Sequence, residues 1–285
     1  MTVMRAAGWW ARRRIARRPL ATVAWVLLAL YALLFLVGPL VVPGNPLAQD
    51  SPQLLPAFSS GHLLGTDDLG RDQLLRLLHG GQPLLLVTVA STALATVLGS
   101  ALGMIAGYFG RVPDSLVMRS MDIVLAFPLV LVAILMVAVL GGGVVNMAIA
   151  ITVSQVPYFA RLARNLTLRE RTQDYVRSAR ALGVSGGTIL RREILPNLTG
   201  SLLVQATSTL AVAAGLASAL SYLGLGQNAS TPDWGYMVKA GQEFMFSNPG
   251  LVLQPGLLIT IFAVACNFAG DDLGDALGDA LGRRP

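Results

Sequence analysis

The stretch YVRSARALGVSGGTILRREILPNL, residues 175–198, carries five charged side chains and lies between two long apolar segments. Its apolar side chains recur at helical spacing as far as Leu182, and Gly183 follows at a position where a helix can end. A second helical series includes Ile194 and is expected to stop at Pro196, before the chain re-enters an apolar segment. The pattern predicts a short helix, a glycine hinge and a second short helix, all outside the membrane.

The connector that contains this stretch, residues 161–197, is far longer than a bare link between two neighbouring helices needs to be. Spare length with helical patterning predicts an element that docks on another protein. An amphipathic segment that rests on anionic lipid through its arginines fits the same pattern equally well.

The chain as a whole is strongly apolar: 54% of its 285 residues are hydrophobic, 13% are charged, and the mean hydropathy is +0.63. About a quarter of the residues of a soluble domain are charged, so this composition indicates an integral membrane protein. Six apolar segments have the length that a helix needs to cross a bilayer. They are 20–42, 83–109, 116–140, 144–159, 198–223 and 251–268.

Basic residues are distributed unevenly among the segments that connect these six spans. Of the 21 lysine and arginine residues, all but three lie before the first span, in alternate connections or after the last span. Because basic residues favour the cytoplasmic side, both termini are predicted to be cytoplasmic, with a basic N-terminus at 1–19 and a tail at 269–285. The same distribution accounts for the isoelectric point of about 10.1 without a nucleic-acid partner.

The first outer loop, residues 43–82, begins with several prolines and is expected to start in an extended conformation. Thr66 or Asp67 is a candidate helix cap. The stripe of leucines within 74–78 predicts a short amphipathic helix that lies on the outer membrane surface. In the second outer loop, Trp234 is expected at the membrane interface.

The sequence has no phosphate-binding loop and no recognisable catalytic or metal-binding motif. Cys266 is the only cysteine, and His62 and His79 lack the spacing of metal ligands. The chain is therefore predicted to be no enzyme and to bind no cofactor or metal of its own. Inside the spans, Asp122 is the exceptional ionisable residue, and it is predicted to pair with Arg119 one turn away. This scarcity argues against a carrier that powers its own transport.

Uncharged polar residues do occur inside the spans, and the two spans that flank 161–197 contain candidates for a polar pathway. These candidates are Ser154, Gln155, Gln205 and Thr209. Hydrogen bonds between packed helices explain such residues without any pathway, and both interpretations stay open.

The opening stretch resembles the EAA loop of ABC-importer permeases, whose pattern is E-A-A, three further residues, a glycine and a later I-x-L-P. Ala179 corresponds to the last alanine of that pattern, Gly183 to its glycine, and ILPN at 194–197 to its ending. Arg177 and Ser178 stand where the family usually has glutamate and alanine. The helix–glycine–helix shape is preserved.

Three further stretches resemble the C-type subunits of the dipeptide/oligopeptide group of these permeases. HLLGTDDLGRDQLLRLLHGGQ at 62–82 is similar to the group's HPLGTDxLGRDxxSRLxxGxR, and YLGLGQNASTPDWGYM at 222–237 is similar to its FLGLGxxPPxPxWGxM. The tail GDDLGDALGDAL at 270–281 is similar to its GDxLRDALDP. The matches occur in the right order over most of the chain, and none identifies the cargo.

This resemblance implies an all-α integral membrane protein with the type I importer fold, six transmembrane helices and a five-helix core at 83–268. It implies a multi-pass permease subunit in the cytoplasmic membrane of a bacterium. Such a subunit forms half of a pathway with a second, related permease in a heterodimer. The pair works with two cytoplasmic ATPase domains or subunits, which bind ATP and magnesium, and with an external substrate-binding protein.

The resemblance also implies that residues 175–197 form the coupling segment, which passes motion from the ATPases to the spans. The residues expected to shape or contact that interface are Arg177, Ser178, Ala179, Arg180, Leu182, Gly183, Ile194 and Pro196. The implied cargo is a dipeptide or oligopeptide. Nickel, glutathione, haem or a peptide antibiotic are alternatives within the same fold, and a self-contained secondary carrier is an alternative outside it.

Overall fold

The computed structural model describes residues 19–226 and 231–280 (backbone only for 277–280), and the regular structure in these ranges is helical. The helices are α1 (Pro19–Val41), α2 (Gln73–Phe109), α3 (Arg111–Leu125), α4 (Leu129–Leu140), α5 (Val144–Glu170), α6 (Asp174–Ala181), α7 (Gly186–Ile189), α8 (Leu195–Tyr222), α9 (Trp234–Gly241) and α10 (Gly250–Ala280). A π-helical turn (Leu190–Ile194) joins α7 to α8, and a 3-10 turn (Gln242–Phe244) follows α9. The all-α architecture predicted from the sequence is confirmed for the described part of the chain.

Four helices in this part of the chain are long and apolar enough to cross a membrane: α1, α2, the continuous helix Gly186–Tyr222 that contains α8, and α10. The bent pair of α3 and α4 passes the same test only when its halves are counted together. α5 is 27 residues long but more polar than these helices. Four or five crossings are therefore evident by length and composition where six were predicted, and α5 is the remaining candidate.

The predicted third span, 116–140, is not one straight helix. α3 ends at Leu125, α4 begins at Leu129, and the two helices are bent by 92° relative to each other. Pro128 explains the break, because proline disfavours the helical conformation in the residue before it and has no backbone N–H to continue the helix.

The surface helix predicted within 43–82 is wrong, because its residues form the first turns of the long helix α2. Asp72, and not Thr66 or Asp67, is the N-cap, and its carboxylate accepts a backbone N–H at 2.9 Å. Leu78 is buried, so this part of α2 packs against protein instead of lying on lipid. The helical core therefore begins before residue 83, where the sequence analysis had placed its boundary.

α2 and α5 lie against each other along most of their lengths, because glycines of α2 let the two backbones approach. A Cβ at Gly99 or Gly107 would lie 2.6 Å or 2.8 Å, respectively, from a backbone oxygen of α5, and a Cβ at Gly103 would collide with the Ala160 carbonyl. Small residues at the contact allow membrane helices to pack where the lipid is as apolar as their side chains. α5, which continues beyond the predicted end at 159 to Glu170, is thereby fixed to α2.

Trp234 begins α9 and lies in the main hydrophobic core, and its position at the membrane interface stays a prediction. Its side chain is 0% exposed, and Nε1–H donates to the Leu77 carbonyl of α2 at 2.8 Å. A buried indole needs such an acceptor, and α2 supplies it. The ring also packs edge-on against Phe35 and Tyr31, at 4.7 Å and 6.2 Å between centroids. These aromatic contacts attach the mostly exposed helix α1 to the rest of the molecule.

Candidate coupling site

The helix end predicted at Gly183 is confirmed. Gly183 follows α6 with a φ of 78°, in the left-handed region that glycine enters without strain. Its N–H donates to the Arg180 carbonyl at 3.0 Å, and the Val184 N–H donates to the Ala179 carbonyl at 3.1 Å. This pair of bonds is a Schellman motif, which satisfies two carbonyls at the helix end and turns the chain sharply toward α7.

The helix stop predicted at Pro196 is wrong, because the helix that begins at Gly186 continues to Tyr222. Pro196 has no backbone N–H to offer, and the preceding turn widens, so that the Leu195 N–H donates to the Leu190 carbonyl in a π-helical bond. The second half of the coupling segment is therefore the first part of a membrane-crossing helix. Gly186 and the membrane-length part of this helix therefore belong to one continuous element.

Three apolar side chains anchor the coupling segment in the protein. Val176, Ile189 and Ile194 are each 0% exposed. They belong to one hydrophobic cluster with Met121 of α3 and Phe159 of α5. Complete burial of such a side chain stabilises a fold by about 1.5–3 kcal/mol. The segment is therefore held against α3 and α5.

Tyr175 ties the end of α5 to the start of α8. Its hydroxyl donates to the Glu170 carboxylate and accepts a hydrogen bond from Asn197 Nδ2 at 3.1 Å. Asn197 Nδ2 also donates to the Glu193 carbonyl at 2.7 Å. Burial, assisted by the Glu170 carboxylate, raises the pKa of Tyr175 to about 12. The hydroxyl therefore stays protonated near neutral pH and keeps its donor role.

Arg180 contacts the inner end of α2. Its guanidinium carbon lies 5.2 Å from the centre of the Tyr108 ring, within the distance of a cation–π interaction. A Cβ at Gly186 would lie 2.9 Å from the same ring, so this glycine leaves room for the tyrosine. Arg180 was predicted to be an ATPase-facing charge, and the structure gives it a partner within the chain as well. Sequence analysis missed Tyr108, since no sequence pattern pairs it with a residue so far along the chain.

The other predicted coupling residues are divided between an exposed face and the anchor. Leu182 is 83% exposed, and the side chain of Arg177 is 69% exposed, with Asp174 at 3.8 Å. Ser178 and Pro196 are also exposed, Ala179 is half-buried and Ile194 is fully buried. An exposed leucine and an exposed cation on a rigid base form a surface suited to docking in a cleft of another protein.

Two arginines of α5 join it to α3 near the coupling segment. Arg164 donates twice to the Asp114 carboxylate, at 2.5 and 2.6 Å, and Arg161 donates to Asp122 at 2.6 Å. The predicted pair of Asp122 with Arg119 is wrong, because Arg161 reaches the carboxylate from the adjacent helix. The side chains of Arg161 and Asp122 are 50% and 60% exposed, so that pair adds little stability, whereas the two-pronged contact of Arg164 fixes the helices in orientation.

The four candidate pathway residues do not share one open surface. Ser154 and Gln155 are each 1% exposed within the helix packing, Thr209 is also buried, and Gln205 is half-buried. Ser154 and Thr209 donate to carbonyls of their own helices, and Gln205 Nε2 donates to the Thr209 hydroxyl at 3.3 Å. Neither amide atom of Gln155 has a hydrogen-bond partner among the described residues. A role for these residues in a pathway stays a prediction.

Sequence analysis missed a buried charge cluster at the outer end of the molecule. Asp67 accepts hydrogen bonds from Arg71 Nε at 2.7 Å and lies 3.2 Å from Arg76 Nε, and these side chains are 9%, 7% and 2% exposed, respectively. Helical spacing is not the signal for the first pair, because residues 67–71 form a turn outside the helices. In the described ranges, no three His, Cys, Asp or Glu residues are grouped so that they could hold a metal ion.

Comparison with known proteins gives a family and a fold. Residues 99–283 match the family described as binding-protein-dependent transport system inner membrane component. The chain is 37% identical to the dipeptide transport system permease protein DppC of Alkalihalophilus pseudofirmus, over 92% of this chain and 86% of that protein. It is 37% identical to the glutathione transport system permease protein GsiD of Pectobacterium atrosepticum, over 75% of this chain and 71% of that protein.

A solved structure of the MetNI methionine ABC transporter in an inward-facing conformation is similar in fold. The TM-score is 0.56 at 21% sequence identity, and the match covers 70% of this chain and 95% of the other. The predicted type I permease fold is thereby confirmed. The family description places the molecule in the bacterial inner membrane, as a multi-pass transport subunit rather than an enzyme. The chain belongs to the family of binding-protein-dependent transport system inner membrane components.

Proposed function

We propose that this chain is a permease subunit of an ABC importer that moves dipeptides or oligopeptides into the cytoplasm. The observation that carries the proposal is the coupling segment, in which an exposed face stands on a buried anchor and continues into a membrane-crossing helix. A self-contained carrier has no need of such a face. Relatives named as dipeptide permeases, aligned over most of the chain, support a peptide cargo.

The chain would form half of a translocation pathway, and a second, related permease would form the other half. Two cytoplasmic ATPase domains or subunits would dock on the two coupling segments and bind ATP and magnesium, so that this chain itself holds no cofactor. An external substrate-binding protein would deliver the cargo, as the family description of a binding-protein-dependent system suggests. The exposed apolar faces would contact membrane lipid or the second permease.

The contacts within the chain suggest how motion of an ATPase would reach the outer end. A push on Leu182 would move Val176 and Ile189, which are packed with α3 and α5 in one hydrophobic cluster. α5 has 27 residues and spans about 40 Å at 1.5 Å per residue. Because the glycines of α2 hold it against α5, the two helices would move as one unit.

Other cargoes remain alternatives within the same fold. The similarity to a glutathione permease makes glutathione one of them. Nickel, haem and peptide antibiotics are further alternatives, because the features of the coupling segment do not discriminate between cargoes. A self-contained secondary carrier is disfavoured by the scarcity of ionisable residues inside the spans.

The test is purification of the tagged chain from its native membrane in mild detergent, followed by reconstitution with the binding protein and a labelled dipeptide. We expect two ATPases and a second permease to copurify, and uptake to depend on ATP. A chain that purifies alone and carries the dipeptide without ATP would overturn the proposal.

A matched pair of exposed leucines at opposite ends of the molecule sharpens this test. Leu182→Glu places a charge on the coupling face and is expected to reduce the amount of copurified ATPase. Leu63→Glu makes the same change at a 55% exposed position in the outer loop and is expected to leave that amount unchanged. If the same amount of ATPase copurifies with both variants, the coupling face is not part of the interface with the ATPase.

A further inference from the structure

Four outer segments of the described chain line a cavity of about 380 Å³. Its walls are residues 45–47 after α1, the early turns of α2, the start of α5 at Val144, and residues 231–232 before α9. The volume lies within the range of pockets for small ligands, about 300–1,000 Å³.

The cavity has four side chains that can form hydrogen bonds through amide, imidazole or hydroxyl groups. They belong to Asn45, His79, Gln82 and Thr231, and no Asp, Glu, Lys or Arg is found among the described residues of its lining. His79 Nδ1–H donates to the Leu75 carbonyl at 2.9 Å, which leaves Nε2 as the ring nitrogen for a ligand. The other lining residues are apolar, with prolines and leucines from α2 and from the segment after α1.

This chemistry fits a peptide group better than the other cargoes of the same fold. Amide, imidazole and hydroxyl groups can pair with the N–H and C=O of a peptide bond, and the charged termini of a dipeptide would stay in water at the open side of the cavity. A nickel ion would require several imidazole, thiolate or carboxylate ligands. A cargo with several carboxylates would require arginine or lysine partners. The cavity supplies neither set.

The cavity is also joined to the coupling segment by a single helix. Val144 in its wall is the first residue of α5, and α5 ends at Glu170, which accepts the hydrogen bond from Tyr175. Before Val144, Gly143 has a φ of 125° and donates its N–H to the Gly226 carbonyl at 3.0 Å. A shift of α5 at the inner end therefore changes the shape of the cavity at the outer end.

We propose that this cavity is a cargo-contact site at the external entrance, in which His79 and Gln82 hydrogen-bond the peptide group of a dipeptide as it leaves the binding protein. The inference rests on the proposed peptide import and adds the residues that recognise the cargo on this chain. Movement of α5, driven from the coupling segment, alters the Val144 wall and releases the peptide into the pathway.

The test uses the whole reconstituted transporter with alanyl-alanine as the probe and the binding protein at saturation. Gln82→Ala and His79→Ala are expected to lower the maximal uptake rate about three- to tenfold each, the effect of losing one hydrogen bond. The control Gln53→Ala changes an exposed glutamine of the outer loop that does not line the cavity, and it is expected to leave the rate unchanged. ATPase activity stimulated by the binding protein is expected to be the same in all three.

A conservative variant separates recognition from a purely structural role. His79→Gln keeps a hydrogen-bonding side chain at this position and is expected to retain most of the uptake rate. Should an alanine variant fail to assemble, the wild-type transporter is exposed to a photoreactive dipeptide instead. Labelling of the peptide that contains residues 73–86 supports the site, and labelling confined to other regions overturns it.

The outcomes for the cavity and for the proposed function are distinguishable. A wild-type transporter that imports no dipeptide contradicts peptide import itself. If the wild type and the variants Gln82→Ala, His79→Ala and Gln53→Ala all import the dipeptide at the same rate, the proposed role of the cavity is wrong. Such a result does not contradict peptide import.

Discussion

In the Asp67 cluster at the outer end of this permease charged side chains are buried and paired, whereas on the coupling segment at the inner end Arg177 is exposed. The side chains of Asp67 and Arg76 are 9% and 2% exposed, and the Asp67 carboxylate also accepts the N–H groups of Leu69 and Arg71. Arg177 on the coupling segment is 69% exposed, and its nearest acid lies 3.8 Å away. The same kinds of residue therefore serve as internal support at one end and as surface at the other.

The difference indicates how the two ends contribute to transport. A buried ion cluster tolerates little rearrangement, because separating its members would leave charges without partners in an apolar environment. Exposed charges on a well-anchored helix change the stability of the fold little, and they stay available to another protein. We therefore expect substitutions at the outer end to change stability, and substitutions on the coupling segment to change transport with little change in stability.

The largest expected effect is that of Asp67→Ala. Removal of this carboxylate leaves Arg71 and Arg76 buried without their common partner and is expected to destabilise the outer end by about 3–5 kcal/mol. Thermal unfolding of the purified transporter measures the change. The control is Asp68→Ala, whose side chain is 34% exposed and lies 3.9 Å from Arg71, and which is expected to cost less than about 1 kcal/mol. Equal shifts for the two variants would show that the cluster is not the support inferred here.

Gly103→Ala is expected to have the next largest effect. A Cβ at this position collides with the Ala160 carbonyl, so α2 and α5 must separate, at a cost of about 1–3 kcal/mol. Gly215→Ala in α8 is the matched control, because a Cβ there meets no atom within 4 Å. It is expected to be neutral or to stabilise by up to about 1 kcal/mol. Both are measured as shifts of the unfolding temperature, and a larger loss for Gly215→Ala would contradict the close contact of α2 and α5.

Gly183→Val is expected to abolish transport at a smaller cost in stability. A valine in the left-handed conformation costs about 1–2 kcal/mol of stability. Relief of this strain is expected to shift the exposed face of the coupling segment away from its normal position. A Cβ at Gly183 meets no atom of the chain within 4 Å, so a direct clash within the subunit is not the cause. Gly183→Asn, which tolerates this conformation, is expected to retain transport. ATP-dependent dipeptide uptake and the unfolding temperature are measured together, and normal uptake by Gly183→Val would remove this glycine from the coupling mechanism.

The sequence predicted those features that depend on local patterns. Gly183 ends α6 because a glycine after an apolar helical series is a strong local signal. Hydropathy predicted the four helices of the described chain that are long and apolar enough to cross a membrane, because each depends on the composition of a single window. It placed span ends at 83, 159 and 198, whereas the helices continue through Pro83, Pro157 and Pro196, since a long helix can accommodate a proline when neighbouring helices support the exposed carbonyls.

Features that depend on contacts between distant residues were not predictable from the sequence. Arg161 replaces Arg119 as the partner of Asp122 because α5 lies beside α3, which no local pattern reveals. Trp234 is buried because α2 offers it the Leu77 carbonyl. The cavity likewise exists only where four separate segments meet. The residues of the coupling segment could be predicted from the sequence, whereas the helices against which the segment is anchored could not.

The smallest expected effect is that of Asp233→Asn at the N-terminus of α9. Asp233 is 5% exposed and accepts the N–H groups of Gly235 and Tyr236, and its burial raises the pKa of the carboxyl above the ordinary 3.8. Because the folded state disfavours the ionised form, stability falls as the pH rises from 3.8 through the folded pKa. Asparagine caps a helix as well as aspartate does and carries no charge.

Asp233→Asn is therefore expected to be as stable as the wild type at pH 7, or more stable by up to about 1 kcal/mol, with the difference shrinking toward pH 4. Unfolding temperatures across this range measure it, with Asp50→Asn as the control for the loss of one exposed negative charge. The opposite outcome is a variant that is less stable than the wild type at pH 7, with a difference in unfolding temperature that decreases as the pH falls. That result would mean that the ionised carboxylate is a favourable cap. Buried charge would then stabilise α9 as it does the Asp67 cluster, and the contrast between the two ends would extend to both outer loops.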